Sequence, residues 1–159
     1  MTDKRIPMTP EGKKTLEDKL KHFKSVERPK NIKAIEVARE LGDLSENADY
    51  DAAKNHQGLL NSQIQDVEAR LALAQVIDPK TIDSEKIVFG ATVTVCDVET
   101  DEKLTYQIVG VHEADLAHGK ISIESPIARA LIGKEAGDEV QFKTPKGVRE
   151  LDVVSVEYK

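Results

Sequence analysis

Apolar residues recur at helical spacing through the first half of the chain and alternate with polar ones through the second. Thr9-Pro10-Glu11 reads as an N-cap, a proline at the first helical position and an acid in the first turn. Leu16, Leu20 and Phe23 follow at helical spacing, so a helix is expected to start near Pro10. The pattern resumes with Ile32, Ile35, Ala38 and Leu41, beyond Arg28-Pro29. An interior proline removes one helix hydrogen bond and crowds the preceding turn. No glycine or turn dipeptide accompanies Pro29, so a kink in one helix is expected, with a break into two helices as the alternative. Ala53, Gln57, Leu60, Ile64, Val67, Leu71 and Ala74 advance in steps of four and three, the seam of a coiled coil, weakened locally by Gln57 and Gly58. They predict a second helix from about Asn47 to Ala74. The short connection makes the two helices an antiparallel hairpin. About 30 residues at 1.5 Å each give an arm of roughly 45 Å, too thin to bury a pocket and suited to carrying its tip to a distant place.

Ile77-Asp78-Pro79 ends the helical pattern, and the polar stretch from Lys80 to Lys86 reads as a linker. Beyond it, β-branched residues alternate in Ala91–Val95, Leu104–Val109, Ile121–Ile123, Val140–Phe142 and Leu151–Val156, which predict strands of one antiparallel sheet. Glu99–Glu102 and Thr144-Pro145-Lys146-Gly147 mark hairpin turns, and Ser125-Pro126-Ile127-Ala128-Arg129-Ala130-Leu131 reads as an N-cap and a short apolar helix to cover the sheet. The expectation is an α+β protein: an antiparallel coiled-coil arm over residues 1–79 and a β-rich domain with one short helix over residues 80–159.

Composition narrows the function classes. A length of 159 residues suits one domain or two small ones, and the change of pattern favours two. Hydrophobic residues at 39%, aromatics at 4% and no Trp imply modest cores of Leu, Ile, Val and Ala, which argues against a large enzyme pocket or a stably held small molecule. A net charge of −6 argues against wrapping duplex nucleic acid by bulk attraction, while leaving room for a local basic patch. Cys96 is the only cysteine, so an intramolecular disulfide and a thiolate metal cluster are excluded and a reducing compartment is the simplest inference. Met1 to Met8 lack an apolar run of signal-peptide length, and no segment approaches the ~20 apolar residues of a membrane span; a soluble, cytoplasmic protein is expected. His22, His56, His112 and His118 show neither ligand nor triad spacing.

The candidate chemistry lies where the two helical patterns meet, from Leu41 to Lys54. Gly42 lets the backbone leave the first helix in a left-handed conformation, and Asp43 or Ser45 can accept from the open amides that start the next. Asp43 and Glu46 lie three residues apart, with Glu40 before them and Asp49 and Asp51 after. A capping box explains one or two of these acids. It does not explain Glu40, at a helix C-terminus where negative charge is disfavoured, and an apex of carboxylates is suited to hold a divalent cation.

Taken together, Met8–Gly12, Arg28-Pro29, Ala38-Arg39, Gly42–Tyr50, Ala74–Asp78, Phe89–Val93 and Ser125–Gly133 resemble, in order and spacing, the bacterial transcript cleavage (elongation) factors of the GreA type. The resemblance runs over nearly the whole chain. It implies a coiled-coil arm and a C-terminal domain similar in fold to FK506-binding prolyl isomerases. RNA polymerase is the implied partner: the C-terminal domain docks at the rim of its secondary channel while the arm carries the acidic tip to the active centre. Asp43 and Glu46 match the family's essential pair, which would hold Mg2+ jointly with the polymerase, none being bound stably by the chain alone, and position water for hydrolysis of backtracked RNA. The polymerase would remain the enzyme and this chain its cofactor. Arg39 and Lys54 match basic positions used against the nascent RNA 3′ end, although Lys54 has Asp51 or Glu40 as alternative partners. Tyr50 has two readings, stacking on a base or closing the hairpin by packing. Glu124, Ser125 and Pro126 match the region used at the polymerase rim, with Ser125 also readable as a cap.

Three other readings compete. A prolyl isomerase needs an aromatic-lined cavity, for which the C-terminal half offers only Phe89, Tyr106, Phe142 and Tyr158. A non-cleaving relative that enters the same channel is disfavoured by retention of Asp43 and Glu46. A coiled-coil chaperone would end its arm in apolar residues, where this one ends in carboxylates.

Overall fold

The computed structural model describes residues 5–43 and 46–159. The chain divides into a helical unit, residues 13–74, and a β-rich unit made of residues 5–12 and 75–159. Residues 5–12 and 75–79, expected in the arm, thus group with the β-rich unit. A short strand, β1 (Ile6–Met8), pairs there with β2 (Ala74–Val76), and Ile77 donates its N–H to the Met8 carbonyl at 2.9 Å. Thr9 follows as the N-cap of α1 (Pro10–His22), its hydroxyl accepting from the Gly12 N–H at 3.1 Å. The Glu113 carboxylate gathers the Thr9 N–H, the Thr9 hydroxyl and the Gly110 N–H, which anchors this N-terminal segment on the β-rich unit.

The helical run is continuous across Pro29. After α1 the chain makes one wide turn, Phe23–Glu27, in which the Arg28 N–H reaches five residues back to the Phe23 carbonyl, and then continues as α2 (Arg28–Glu40). A π-type turn accommodates one extra residue. Placed directly ahead of Pro29, it loosens the turn that the proline ring would crowd, and it shifts the buried seam. Leu16, Leu20 and Phe23 lead to Asn31, Ile35 and Ala38, so Asn31 follows Phe23 by eight positions where a heptad repeat has seven. Ile32 and Leu41, expected in the seam, are therefore 47% and 65% exposed, while Asn31 is buried. The Asn31 amide repays its burial by donating to the Ala53 carbonyl of the opposite helix at 3.0 Å.

That opposite helix, α3 (Ala48–Leu73), buries Ala53, Leu60, Ile64 and Val67 as its spacing predicts, with Gln57 and Leu71 half-buried. Lys24 and Glu68 pair across the hairpin at 2.8 Å on its exposed face. At 26 residues, α3 is about 39 Å long. Among the described residues no helix is long and apolar enough to cross a membrane.

The β-rich unit holds five strands in the order β5 (Lys120–Ser122), β4 (Lys103–Val109), β3 (Thr92–Asp97), β7 (Gly147–Glu157) and β6 (Glu139–Thr144). The sheet is not wholly antiparallel. β4 and β5 run parallel, with Ile108 opposite Ile121, because the chain crosses back between them through residues 110–119 instead of turning tightly. Along β3, Val93 and Val95 face the core, and the partner β7 carries a bulge there: Thr94 opposes Ser155 and Val95 opposes Val153, leaving Val154 unpaired and 45% exposed. The short helix α4 (Pro126–Leu131) seals the core with Ala128 and Leu131, both fully buried among Ile87, Ile108, Val140 and Leu151. An α+β fold, with a helical hairpin followed by a β domain, is thus what the alternating patterns encode.

Candidate functional site

The connection between α2 and α3 is closed by hydrogen bonds on both sides. α2 ends as the Leu41 N–H turns back to the Ala38 carbonyl at 3.2 Å and the Gly42 N–H to the Arg39 carbonyl at 3.4 Å. Gly42 then takes φ +118°, with open space where a Cβ would stand, so its requirement is conformational and not one of crowding. On the far side Asn47 is the N-cap of α3: its backbone is extended, its side-chain oxygen accepts the Tyr50 N–H at 3.0 Å, and its carbonyl accepts the Asp51 N–H at 3.1 Å. Its Nδ2 donates across the hairpin to the Ala38 carbonyl at 2.6 Å.

This arrangement corrects the expected cap. Asp43 lies four residues before the capping position and does not cap α3, and Ser45 is outside the described residues. With the cap at Asn47, Glu46 precedes the helix, so Asp43 and Glu46 do not form a capping box for α3. Both side chains are exposed, on the stretch that bridges Gly42 to Asn47. Asp49 and Asp51 occupy the first turn of α3, where the helix dipole favours them, and Glu40 is exposed as the last residue of α2.

Behind the acids the structure brings Arg39 and Tyr50 together across the hairpin: the guanidinium carbon lies 5.9 Å from the ring centroid, a cation–π contact. Lys54, one turn further along α3, directs its ammonium to the Gln57 amide oxygen at 2.8 Å instead of to Asp51 or Glu40, and stays exposed. In this contact Tyr50 closes the hairpin, while the Arg39 side chain stays exposed.

In the β-rich unit the three rim candidates separate by role. Ser125 caps α4: its hydroxyl accepts the Ala128 N–H at 3.3 Å and donates to the Ser122 carbonyl at 2.7 Å. Its one hydroxyl donor is used within the fold, whereas Glu124 and Pro126 on either side are exposed.

Two polar residues at the hairpin, Asn47 and Asn31, are not among those that the sequence reading singles out. Asn47 carries a detectable signal, since Asn ranks among the strongest N-caps and precedes an acid-rich first turn. Asn31 carries none until the one-residue shift at the wide turn is known.

The chain matches two family models, "Transcription elongation factor, N-terminal" over residues 6–76 and "Transcription elongation factor, GreA/GreB, C-term" over residues 82–158. It is 53% identical over 153 residues to transcription elongation factor GreA of Syntrophotalea carbinolica, spanning 96% of this chain and 97% of that protein. It is 55% identical over 155 residues to the GreA of Verminephrobacter eiseniae, with 97% and 98% covered. To that of Pseudomonas aeruginosa it is 54% identical over 155 residues, again with 97% and 98% covered. With both halves matched and each relative spanned almost end to end, this chain belongs to the GreA/GreB family of transcription elongation factors.

Proposed function

We propose that this chain is a transcription elongation factor that enters the secondary channel of RNA polymerase and stimulates the polymerase's own cleavage of backtracked nascent RNA near its 3′ end, releasing arrested complexes. The observation that carries the proposal is the placement of Asp43 and Glu46, both exposed on the connection between two long paired helices. The polymerase is the enzyme, and this chain supplies groups to its active centre.

The donor set fits magnesium. Asp43 and Glu46 offer the hard carboxylate oxygens that Mg2+ prefers, and Mg2+ commonly takes only one or two carboxylates from a protein and keeps further ligands from water or substrate phosphates. Among the described residues no three His, Cys, Asp or Glu side chains gather at one point. When bound there, the ion would polarise the scissile phosphate and lower the pKa of a coordinated water. The chain's own contribution would be placement: Asp43 and Glu46 are both exposed on the connection between the helices, and the exposed Arg39 and Lys54 would hold the negatively charged RNA 3′ end. On the β-rich unit, Glu124 and Pro126 are the exposed candidates for the rim contact, with Ser125 shaping the loop between them.

The isomerase reading finds no support in the aromatic residues. Phe89 is buried, Tyr106 and Phe142 pack on the core, and the Tyr158 hydroxyl is engaged by the Val88 N–H at 3.1 Å and the Lys86 carbonyl at 2.5 Å.

The test is to add the protein to a stalled, backtracked polymerase complex carrying labelled RNA. Faster magnesium-dependent release of 3′ fragments is expected. Unchanged cleavage at saturating protein would overturn the reading, and cutting of naked RNA by the pure chain would overturn the division of labour with the polymerase.

A further inference from the structure

We propose that Asn47 is a positioning residue for transcript cleavage, joining the end of α2 to the start of α3 so that Asp43 and Glu46 are carried between two fixed ends before any metal arrives; this rests on the functional reading above. One planar amide serves both helices at once. Its oxygen takes the Tyr50 N–H at 3.0 Å and its nitrogen gives a hydrogen to the Ala38 carbonyl at 2.6 Å. The two partners fix which end of the amide is which, because an N–H can only donate and a carbonyl can only accept.

The Ala38 carbonyl is the point where the connection closes. It lies in the last turn of α2, where carbonyls lack their usual helical partners. It accepts from the Leu41 N–H at 3.2 Å and from Asn47 Nδ2 at 2.6 Å, so Leu41, before Asp43, and Asn47, after Glu46, meet at one oxygen. Asn47 is covalently next to Glu46 and is only partly exposed.

The side-chain requirement is narrow. Asp reproduces the cap, ranking with Asn at that position, but as a carboxylate it only accepts and would face the Ala38 oxygen with a like partial charge. Ser also caps and is neutral, yet its donor and acceptor sit on one oxygen of a shorter side chain, which does not span from the Tyr50 N–H to the Ala38 carbonyl as the amide's two ends do. Asn47→Asp and Asn47→Ser therefore retain the cap and remove the link to Ala38, one with added charge and one without.

The experiment measures three quantities for wild type and both variants: thermal midpoint, competition for the polymerase, and cleavage of a backtracked complex at saturating protein across a magnesium series. Hydrogen exchange of the Leu41 and Gly42 amides is followed in the free proteins. The expected result is unchanged midpoint and polymerase binding, faster exchange at Leu41 and Gly42, and in both variants a cleavage rate about 10- to 100-fold lower at limiting magnesium, recovering in part as magnesium rises. Wild-type rates in both variants at every magnesium concentration would overturn the role. So would a loss of cleavage that tracks a lowered midpoint with no change in magnesium dependence, since that is what a merely structural cap gives. Failure of the wild-type chain to stimulate cleavage in the same assay would instead refute the functional reading, and the positioning role with it.

Discussion

The Arg39 guanidinium lies over the ring of Tyr50, 5.9 Å from its centroid, joining the last turn of α2 to the first turn of α3 just behind the acidic connection. The ring face supplies an electrostatic seat for the cation without neutralising it, so Arg39 remains available to a phosphate. Tyr50→Phe keeps that face and should behave as wild type, whereas Tyr50→Leu should release the arginine and cost about 0.5–1 kcal/mol of stability. Crosslinking of the RNA 3′ end in a backtracked complex should fall with Arg39→Ala and Tyr50→Leu and stay unchanged with Tyr50→Phe. Equal crosslinking in all three would reduce the contact to a hairpin closure with no bearing on RNA.

Gly58 sits in the interior of α3, exposed, with no atom within 4 Å of where a Cβ would stand. A glycine in such a place loses more chain entropy on folding than alanine and contributes no packing in return. Gly58→Ala is expected to raise the stability of the hairpin by about 0.5–1 kcal/mol, read as a higher midpoint in thermal melts followed by helical circular dichroism. A lower midpoint would mean that the helix needs the flexibility.

Much of this architecture is legible in the residue pattern, and the exceptions have identifiable causes. The α3 seam is readable because Leu60, Ile64 and Val67 keep an unbroken repeat, whereas the first helix misleads at Ile32 because the wide turn at Phe23–Glu27 inserts one residue that composition does not announce. The strands follow from alternation, but alternation is blind to direction, so the parallel pairing of β4 with β5 could not be read from it. β1 and β2 are three residues each and depend on pairing with one another, too short to show a period. At the tip, the acids are visible as a cluster; the cap is not readable in the same way, because Asp43, Ser45 and Asn47 all have the right chemistry and only the backbone selects Asn47.

In the β-rich unit Asp97 is buried at the end of β3 and paired with Arg149 of β7, and it also accepts the Glu99 and Thr100 N–H groups at 2.9 and 3.3 Å. The hydrogen bond from Arg149, followed by those from the backbone, holds its carboxyl below the usual aspartate range. A carboxyl with a depressed pKa in the folded state stabilises fully above its unfolded-state value, near pH 4, and that contribution is lost as pH falls through the folded value. Asp97→Asn should therefore melt below wild type at neutral pH, with the gap narrowing below about pH 4. Melting curves from neutral to strongly acidic buffer check this, and a gap that stays constant into acid would show that the ionised form is not what stabilises the turn.

Asp43→Asn and Glu46→Gln should each nearly abolish stimulated cleavage while leaving folding and polymerase binding intact. The amides preserve size and remove charge, so each variant deletes one anionic oxygen donor. The structure sharpens the expectation for stability: the cap of α3 is Asn47, so neither substitution disturbs the bond to the Tyr50 N–H, and both positions are exposed. An interaction worth ~3 kcal/mol in the transition state corresponds to roughly a hundredfold in rate. If the acids instead served only the local fold, the variants would lose stability and cleave normally. The deciding measurement is cleavage rate at saturating factor alongside competition for the polymerase: full rates in both variants would remove Asp43 and Glu46 from the chemistry. A hundredfold loss with undiminished competition would place them at the reacting phosphate.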